Sequence, residues 1–344
     1  MIRNATIGAA VWCTLVVAGQ VSAKLSRSWI ELLFLFAPLT IVPLGQALTE
    51  QLDGSTRGSS AQRIAQTMQL PAAFAAALSF YFAPPIATFL LSVPWLTFAA
   101  LLALSKFPSM VRARPRTFDQ LCAFVAYFYL AVGAAWFFAS RLGWHPIGFH
   151  EPIVLLTAVH FHYAGFAAAV LVRAAGRVLK QGLVRTLFYR GAAAGALAGP
   201  AVLAAGFVVH PILKLFAAIA IAAGETLLAV CFVASLPAFA QWRSRLLVCV
   251  SAMSIAAAMC LATLWAIGEF PRQQFLDIAR MAKWHGTLNA LGFTFCGLTA
   301  FSLLHKANRF SVAPASLPAS DDHRRSTSQN PRRTEAACSS PLQG

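Results

Sequence analysis

Two histidines lie close together in a long apolar stretch of the chain. His160 and His162 fall between residues 152 and 172, a stretch without Lys, Arg, Asp or Glu, and Tyr163 follows them. On a helix, residues two apart point about 200° away from each other, so the two rings cannot easily bind one metal ion. Neutral imidazole can hydrogen-bond a neighbouring helix or bind a transition metal. A structural role and a functional site both stay open for this pair.

A second polar pair stands near the end of the chain. His285 and Asn289 are four residues apart, so they share one face of a predicted helix. An aligned His and Asn could orient a ligand or a water molecule, or could serve helix packing at the membrane surface. We take five residues as candidates for lining a polar cavity or binding a ligand: His160, His162, Tyr163, His285 and Asn289.

Three of these residues are also the candidate metal ligands. His160, His162 and His285 could supply imidazole nitrogens to zinc, copper or haem iron. No HxxxH or HExxH pattern occurs, so the ligands would have to converge from different helices. The seven cysteines form no CxxC pair, which argues against a thiolate zinc site and a disulfide framework. A metal or haem is thus compatible with the sequence, which itself requires no cofactor.

An acidic side chain is predicted to lie deep in a membrane helix. Glu225 falls within the apolar stretch 211–235, where a carboxyl group must be protonated, paired or beside water. Lys214 lies about 16 Å away along the helix axis, too far to pair with it directly, and its side chain can extend outward. We predict a proton relay that uses Glu225, with Lys214 as a further candidate. The alternative for Glu225 is a buried structural hydrogen bond.

The elements that position these side chains are membrane helices. Hydrophobic residues make up 58% of the chain and charged residues 11%, whereas a soluble domain has about 25% charged residues. Apolar runs of about 20 residues, the length that crosses a bilayer, recur along the chain. We predict an all-α polytopic transmembrane helix bundle of about ten spans. They are expected at residues 5–22, 29–48, 65–83, 85–105, 117–139, 152–172, 191–209, 211–235, 245–268 and 286–304.

Lys and Arg are distributed unevenly between the loops. The N-terminus, alternate loops and the tail carry 20 of the 27, the opposite loops carry 6, and Lys214 lies in a span. Positively charged loops stay inside, so we predict both termini in the cytoplasm. The alternative is a cleaved signal peptide over residues 1–23, which leaves nine spans. Residues 1–306 form the predicted bundle, and 307–344 a disordered basic cytoplasmic tail.

This orientation gathers the ionisable side chains on one side. They map to the outer half of the bundle, which predicts a polar cavity open to the outer side and built from the sixth, eighth and tenth helices. The residues are His145, His150, Glu151, His160, His162, His210, Lys214 and His285.

The net charge of +16 defines the expected partners. In a soluble protein it would point to nucleic acid, but no basic stripe alternates with aromatic residues here. The expected partner is the lipid bilayer, with no nucleic acid. The basic 173–190 loop or the tail could bind a cytoplasmic partner, and a homo-oligomer stays open as well.

Two segments resemble a known family. His160-Phe161-His162-Tyr163-Ala164-Gly165-Phe166 and His285-Gly286-Thr287-Leu288-Asn289-Ala290-Leu291-Gly292-Phe293 are similar to motifs of the YndJ-like bacterial membrane proteins, over about residues 150–305. The resemblance implies a multi-pass protein of a bacterial inner membrane, sometimes labelled a transporter, with no known chemistry. It also implies that His160, His162, His285 and Asn289 are the positions to examine.

Three functions follow as hypotheses. The first is a transporter or permease for a small solute or protons, because the predicted bundle leaves almost no soluble mass and contains Glu225. The second is a membrane-embedded metal or haem protein, redox or hydrolytic, that uses His160, His162 and His285. The third is a non-catalytic membrane sensor or assembly factor. No Walker loop, dinucleotide fingerprint or nucleophile elbow occurs, so whether the chain is an enzyme stays open, with the balance against it.

Overall fold

The computed structural model describes residues 1–54, 59–82, 85–112, 118–269 and 276–311. Within these residues the chain forms ten long helices and no strand, so the predicted all-α bundle is confirmed. The helices are α1 Ile2–Val21, α2 Trp29–Asp53, α3 Ser60–Leu78, α4 Pro85–Arg112, α5 Phe118–Leu142, α6 Ile153–Val178, α7 Val184–Val209, α8 Pro211–Ser235, α9 Trp242–Glu269 and α10 over residues 278–311.

Nine of the ten described helices are long and apolar enough to cross a membrane, and α3 is the exception. Its polar side chains bond to other helices. Gln69 is fully buried, donates to the Pro38 carbonyl of α2 at 2.9 Å and accepts from Asn4 of α1 at 3.0 Å. The expected ten spans thus correspond to nine apolar helices and one more polar helix held by interhelical hydrogen bonds.

Some helices begin earlier than hydropathy predicts. α10 starts at Ile278 rather than at residue 286, because Asp277 caps it by accepting a hydrogen bond from the Arg280 amide. α7 starts at Val184 rather than at residue 191. The predicted turn between α7 and α8 is present, with His210 extended and Pro211 opening α8. The boundary expected between the spans 65–83 and 85–105 includes residues 83 and 84, which lie outside the described residues.

The second helix is the centre of the bundle. The most apolar stretch of α2 is wholly buried by protein and that of α6 is mostly buried, whereas α1, α4, α7 and α9 leave most of theirs uncovered. Exposed apolar side chains such as Val21, Ile86 and Met253 therefore form a surface that contacts lipid. The fold wraps more peripheral helices around α2 and α6.

Two glycines allow α7 and α8 to pack closely together. A Cβ atom at Gly195 of α7 would lie 2.7 Å from the Gly224 Cα of α8, and the converse holds as well. Small residues at a membrane-helix interface allow this approach, and dispersion between the backbones then stabilises the pair. The contact holds α7 and α8 together directly beside Glu225.

A network of charged side chains ties four helices together at one end of the bundle. Arg173 of α6 is buried, and its Nη2 group donates to Asp53 of α2 and Asp119 of α5, both at 2.6 Å. Lys106 of α4 pairs with Asp53 at 2.8 Å, and Arg177 pairs with Asp119 at 2.7 Å. The ends of α2, α4 and α6 and the start of α5 therefore lie together, at the end opposite to His285.

Candidate functional site

Three of the inner helices depart from α geometry where they meet. α2 is π-helical over Ala37–Ile41, α6 over Phe161–Ala167 and α10 over Leu288–Phe295, and each of the three segments contacts the other two. In a π segment each hydrogen bond spans five residues instead of four, which widens the helix locally, and such segments are often found at functional sites. The irregular backbone of the three segments therefore lies in the interior of a membrane protein. Its N–H and C=O groups need hydrogen-bond partners from other helices there.

The π segment of α2 follows from a proline. Pro38 has no N–H, so the hydrogen-bond ladder before it is incomplete. Side chains from three other helices use the carbonyls around it. Trp12 of α1 donates to Leu32 at 2.7 Å, Tyr163 of α6 donates to Leu33 at 2.9 Å, and Gln69 donates to Pro38 itself. The irregular segment of α2 is thereby held in one position.

His162 lies inside the protein beside this segment. Its Nδ1 atom hydrogen-bonds the Ala158 carbonyl at 2.7 Å, and its Nε2 atom accepts from the Trp95 indole N–H of α4 at 3.1 Å. Gly133 of α5 makes the space, since a Cβ there would lie 2.7 Å from the ring. The edge of the imidazole meets Phe34, with ring centres 5.3 Å apart. Both ring nitrogens are used, so this geometry describes a neutral His that joins α4 to α6.

His160 points to a different neighbour, as the helix geometry predicts. Its ring lies nearly parallel to that of His285 in α10, with ring centres 6.5 Å apart and planes 21° apart. His160 is exposed and His285 is half-buried. The structure thus brings together the two histidine motifs of the sequence and separates His162 from them.

Hydrogen bonds orient His285 and Asn289. His285 Nδ1 bonds the Ala258 carbonyl of α9 at 2.9 Å, which leaves Nε2 as the acceptor. The Asn289 amide lies 3.1 Å from that Nε2 atom and 3.0 Å from the His285 carbonyl, and donates to both. This bond is the contact that the four-residue spacing predicts. In this arrangement the His285 ring is neutral, and neither nitrogen is available to a metal unless Asn289 turns away.

The candidate metal ligands do not form one cluster. Among the described residues, no group of three or more His, Cys, Asp or Glu side chains is arranged to hold a metal ion. His162 and His285 use both ring nitrogens in hydrogen bonds, and His160 faces His285. A metal bound by all three predicted histidines does not fit this arrangement. A two-histidine site between His160 and His285 would require the Asn289 amide to move.

Glu225 is buried at 3% exposure, and neither of its carboxylate oxygens has a hydrogen-bond partner among the described residues. It shares a face of α8 with Phe232, about 10 Å further along the helix. The Phe232 ring packs against Phe293 in the π segment of α10, with ring centres 6.0 Å apart. The acid therefore lies on the side of α8 that faces the centre of the bundle.

Lys214 and His210 lie at the other end of α8. Lys214 sits over the Phe207 ring, 4.9 Å from its centre, and His210 Nδ1 accepts the Ile212 amide proton. The structure places both residues at the turn between α7 and α8. Of the histidines expected to line a cavity of α6, α8 and α10, the structure brings together His160 of α6 and His285 of α10, and His210 of α8 lies apart from them at the turn.

Two buried threonines complete the site, and sequence reasoning missed them. Thr40 of α2 and Thr294 of α10 lie in the π segments, are at most 1% exposed, and have hydroxyl groups without a hydrogen-bond partner among the described residues. The Gln46 side-chain oxygen of α2 is also buried without a hydrogen-bond partner among the described residues. The sequence signal that could have found Thr40 is Pro38, two residues earlier in an apolar helix.

The fold and this site define a multi-pass α-helical membrane protein. The chain belongs to the YndJ-like family, since the family described as YndJ-like protein matches residues 32–293. It is similar to the uncharacterized membrane protein YndJ of Bacillus subtilis (strain 168), with 29% identity over 164 residues. The match covers 48% of this chain and 29% of that relative, so the chain spans less than a third of the relative's length. No solved structure matches the chain.

Proposed function

We propose that this chain is a transporter or permease for a small solute or protons, and that its route passes the π segments of α2, α6 and α10. The observation that carries the proposal is the contact between the three segments at the centre of the bundle. Irregular backbone at membrane depth is tolerated where it is buried in protein or lines an aqueous cavity, and transporters place such segments at their binding sites.

Buried polar groups without partners support the route, two of them in the π segments and one on α8, which contacts the π segment of α10 through Phe232. The hydroxyls of Thr40 and Thr294 and the carboxylate of Glu225 are buried without partners among the described residues. An ionisable group in the membrane interior costs about 2.5–3.5 kcal/mol and typically marks an ion or proton pathway. Glu225 serves as the proton relay in this proposal, because a carboxyl group without a protein partner can exchange its proton with transient water.

The orientation completes the proposal. In this proposal the chain lies in a bacterial inner membrane, and the excess of Lys and Arg in alternate loops supports an orientation with the Arg173 end and both termini in the cytoplasm. The end with His160, His285 and Asn289 then faces outward and lines the polar entrance. The charged network around Arg173 closes the cytoplasmic end in this conformation, since it joins four helices there.

One distance favours the second function, a metal or haem protein. Two imidazoles bound on opposite sides of one metal have ring centres about 6.4 Å apart, given metal–nitrogen bonds of about 2.0–2.1 Å. The His160 and His285 ring centres are 6.5 Å apart. The Asn289 amide argues against a metal or haem site, because it hydrogen-bonds the His285 Nε2 atom that a metal would need. We keep this function as the alternative and transport as the first proposal.

The test is proton flux in liposomes. The purified chain is reconstituted with a pH-sensitive dye inside, and a potassium diffusion potential drives protons. We expect flux above protein-free liposomes in the wild type and a drop of at least tenfold in Glu225→Gln. The matched control is Glu31→Gln, an acid in the capping box at the start of α2, which should leave flux unchanged.

Each result of this test has a defined meaning. A wild type that conducts no more than protein-free liposomes contradicts proton transport. Flux that survives Glu225→Gln contradicts the relay at this residue. Flux lost equally in Glu31→Gln shows that the loss is not specific to the buried acid.

A further inference from the structure

The loop between α5 and α6 holds two more histidines close together. His145 and His150 lie outside the membrane spans, both are exposed, and their ring centres are 4.4 Å apart with planes at 48°. They belong to the same end of the bundle as His160 and His285. None of the residues of the candidate transport route contributes to this pair.

The backbone of the loop forces the two rings together. A turn from His145 to Gly148 is closed by the Gly148 amide, which donates to the His145 carbonyl at 3.1 Å. Inside it, Ile147 has a φ of 58°, a left-handed conformation that a β-branched residue rarely adopts. Such strain costs of order 1–3 kcal/mol and persists when the surroundings fix it. Phe149 fixes the loop by packing edge-on against Phe207 of α7, with ring centres 6.2 Å apart.

The ring separation matches a shared metal. An imidazole bound at about 2.0–2.1 Å has its ring centre about 3.2 Å from the metal, so two imidazoles at adjacent, 90° positions of a square-planar or octahedral ion have ring centres about 4.5 Å apart, and two on a tetrahedral ion about 5.2 Å apart. The observed separation is 4.4 Å. We propose that His145 and His150 bind one divalent transition-metal ion that accepts ligands at 90°, such as Cu²⁺ or Ni²⁺, at the outer end of the bundle.

The remaining coordination positions belong to water or to an external ligand. No third His, Cys, Asp or Glu of the described chain joins the pair in a metal-binding cluster. The neighbouring Glu151 uses a carboxylate oxygen to accept the Leu155 amide at the start of α6. A metal ion held by two imidazoles, with its other coordination positions open, can exchange with solution. The affinities of such a site for divalent metals follow the Irving–Williams order, in which Cu²⁺ binds most tightly. The proposal stands independently of transport.

The experiment is a Cu²⁺ titration of the full chain in detergent, with the affinity tag removed. Electron paramagnetic resonance reports the nitrogen ligands, and competition with a chelator reports the affinity. We expect one tightly bound Cu²⁺ with two nitrogen ligands in the wild type. His145→Ala and His150→Ala should each weaken binding at least tenfold. The control His160→Ala removes an exposed histidine of the other pair and should leave the affinity unchanged.

A second variant tests the role of the strained turn. Ile147→Gly relieves the left-handed backbone and loosens the loop, so it should fold at least as stably as the wild type and bind Cu²⁺ several-fold more weakly. Equal affinity in the wild type and the double variant His145→Ala/His150→Ala overturns the proposal. Loss of the Cu²⁺ signal in His160→Ala alone also overturns it, because the metal would then belong to the His160 and His285 pair.

Discussion

The bond between Trp95 and His162 allows a quantitative test of the interior of the bundle. Both side chains are fully buried, and the indole N–H donates to His162 Nε2 at 3.1 Å. Trp95→Phe leaves a cavity and an unpaired imidazole nitrogen. His162→Phe leaves an unpaired indole N–H, which costs about 1–3 kcal/mol when buried. The double variant removes both polar groups, so its cost should be smaller than the sum of the two.

The expected coupling follows from measured hydrogen bonds between membrane helices, which average about 0.6 kcal/mol and reach about 1.7 kcal/mol. Because this bond is wholly shielded from water, we expect a value near the upper end, about 1–1.7 kcal/mol. Reversible unfolding of the four proteins in mixed detergent micelles measures it as a double-mutant cycle. If the cost of the double variant equals the sum of the two single costs within about 0.3 kcal/mol, the structural role that we assign to His162 is refuted.

Three further variants test other parts of the account by the same unfolding assay or by metal analysis. Arg173→Met removes one of the two cationic partners of Asp53 and of Asp119, which keep Lys106 and Arg177, and should lower the unfolding free energy by about 1.5–3 kcal/mol, unlike the exposed control Arg243→Met; an equal effect of both contradicts the buried network. Gly224→Ala places a methyl group against Gly195 and should cost about 1–3 kcal/mol; a neutral result means that α7 and α8 are less closely packed. Asn289→Ala frees His285 Nε2 and should raise metal uptake at the His160 pair; unchanged uptake argues against the metal alternative.

Much of the fold could be predicted from hydropathy alone. The apolar runs and the proline turn at Pro211 correspond to helices and a helix break in the structure. The ends of the helices could not be predicted in this way, because capping and ion pairing decide them. The span expected to stop at residue 172 continues to Val178, since Arg173 is neutralised by two aspartates from distant parts of the sequence.

The site was predictable in part. The four-residue spacing of His285 and Asn289 predicted their contact, and the 200° separation predicted that His160 and His162 serve different neighbours. The pairing of His162 with Trp95 depends on helix packing across 67 residues of sequence, which spacing cannot reveal. The three π segments were not predicted. In α2, side chains of three other helices bond to the Leu32, Leu33 and Pro38 carbonyls, and these contacts cannot be read from the sequence.

The most direct test of the transport proposal is the water accessibility of the π segments. In a variant with every cysteine replaced, Thr294→Cys is exposed to a small membrane-impermeant thiol reagent, with Ala73→Cys of α3 as an equally buried control. The account predicts that the cysteine at 294 reacts at least tenfold faster than the one at 73 in the native membrane. Equal lack of reaction at both positions, with full labelling after denaturation, would contradict a water-filled route at the centre of the bundle.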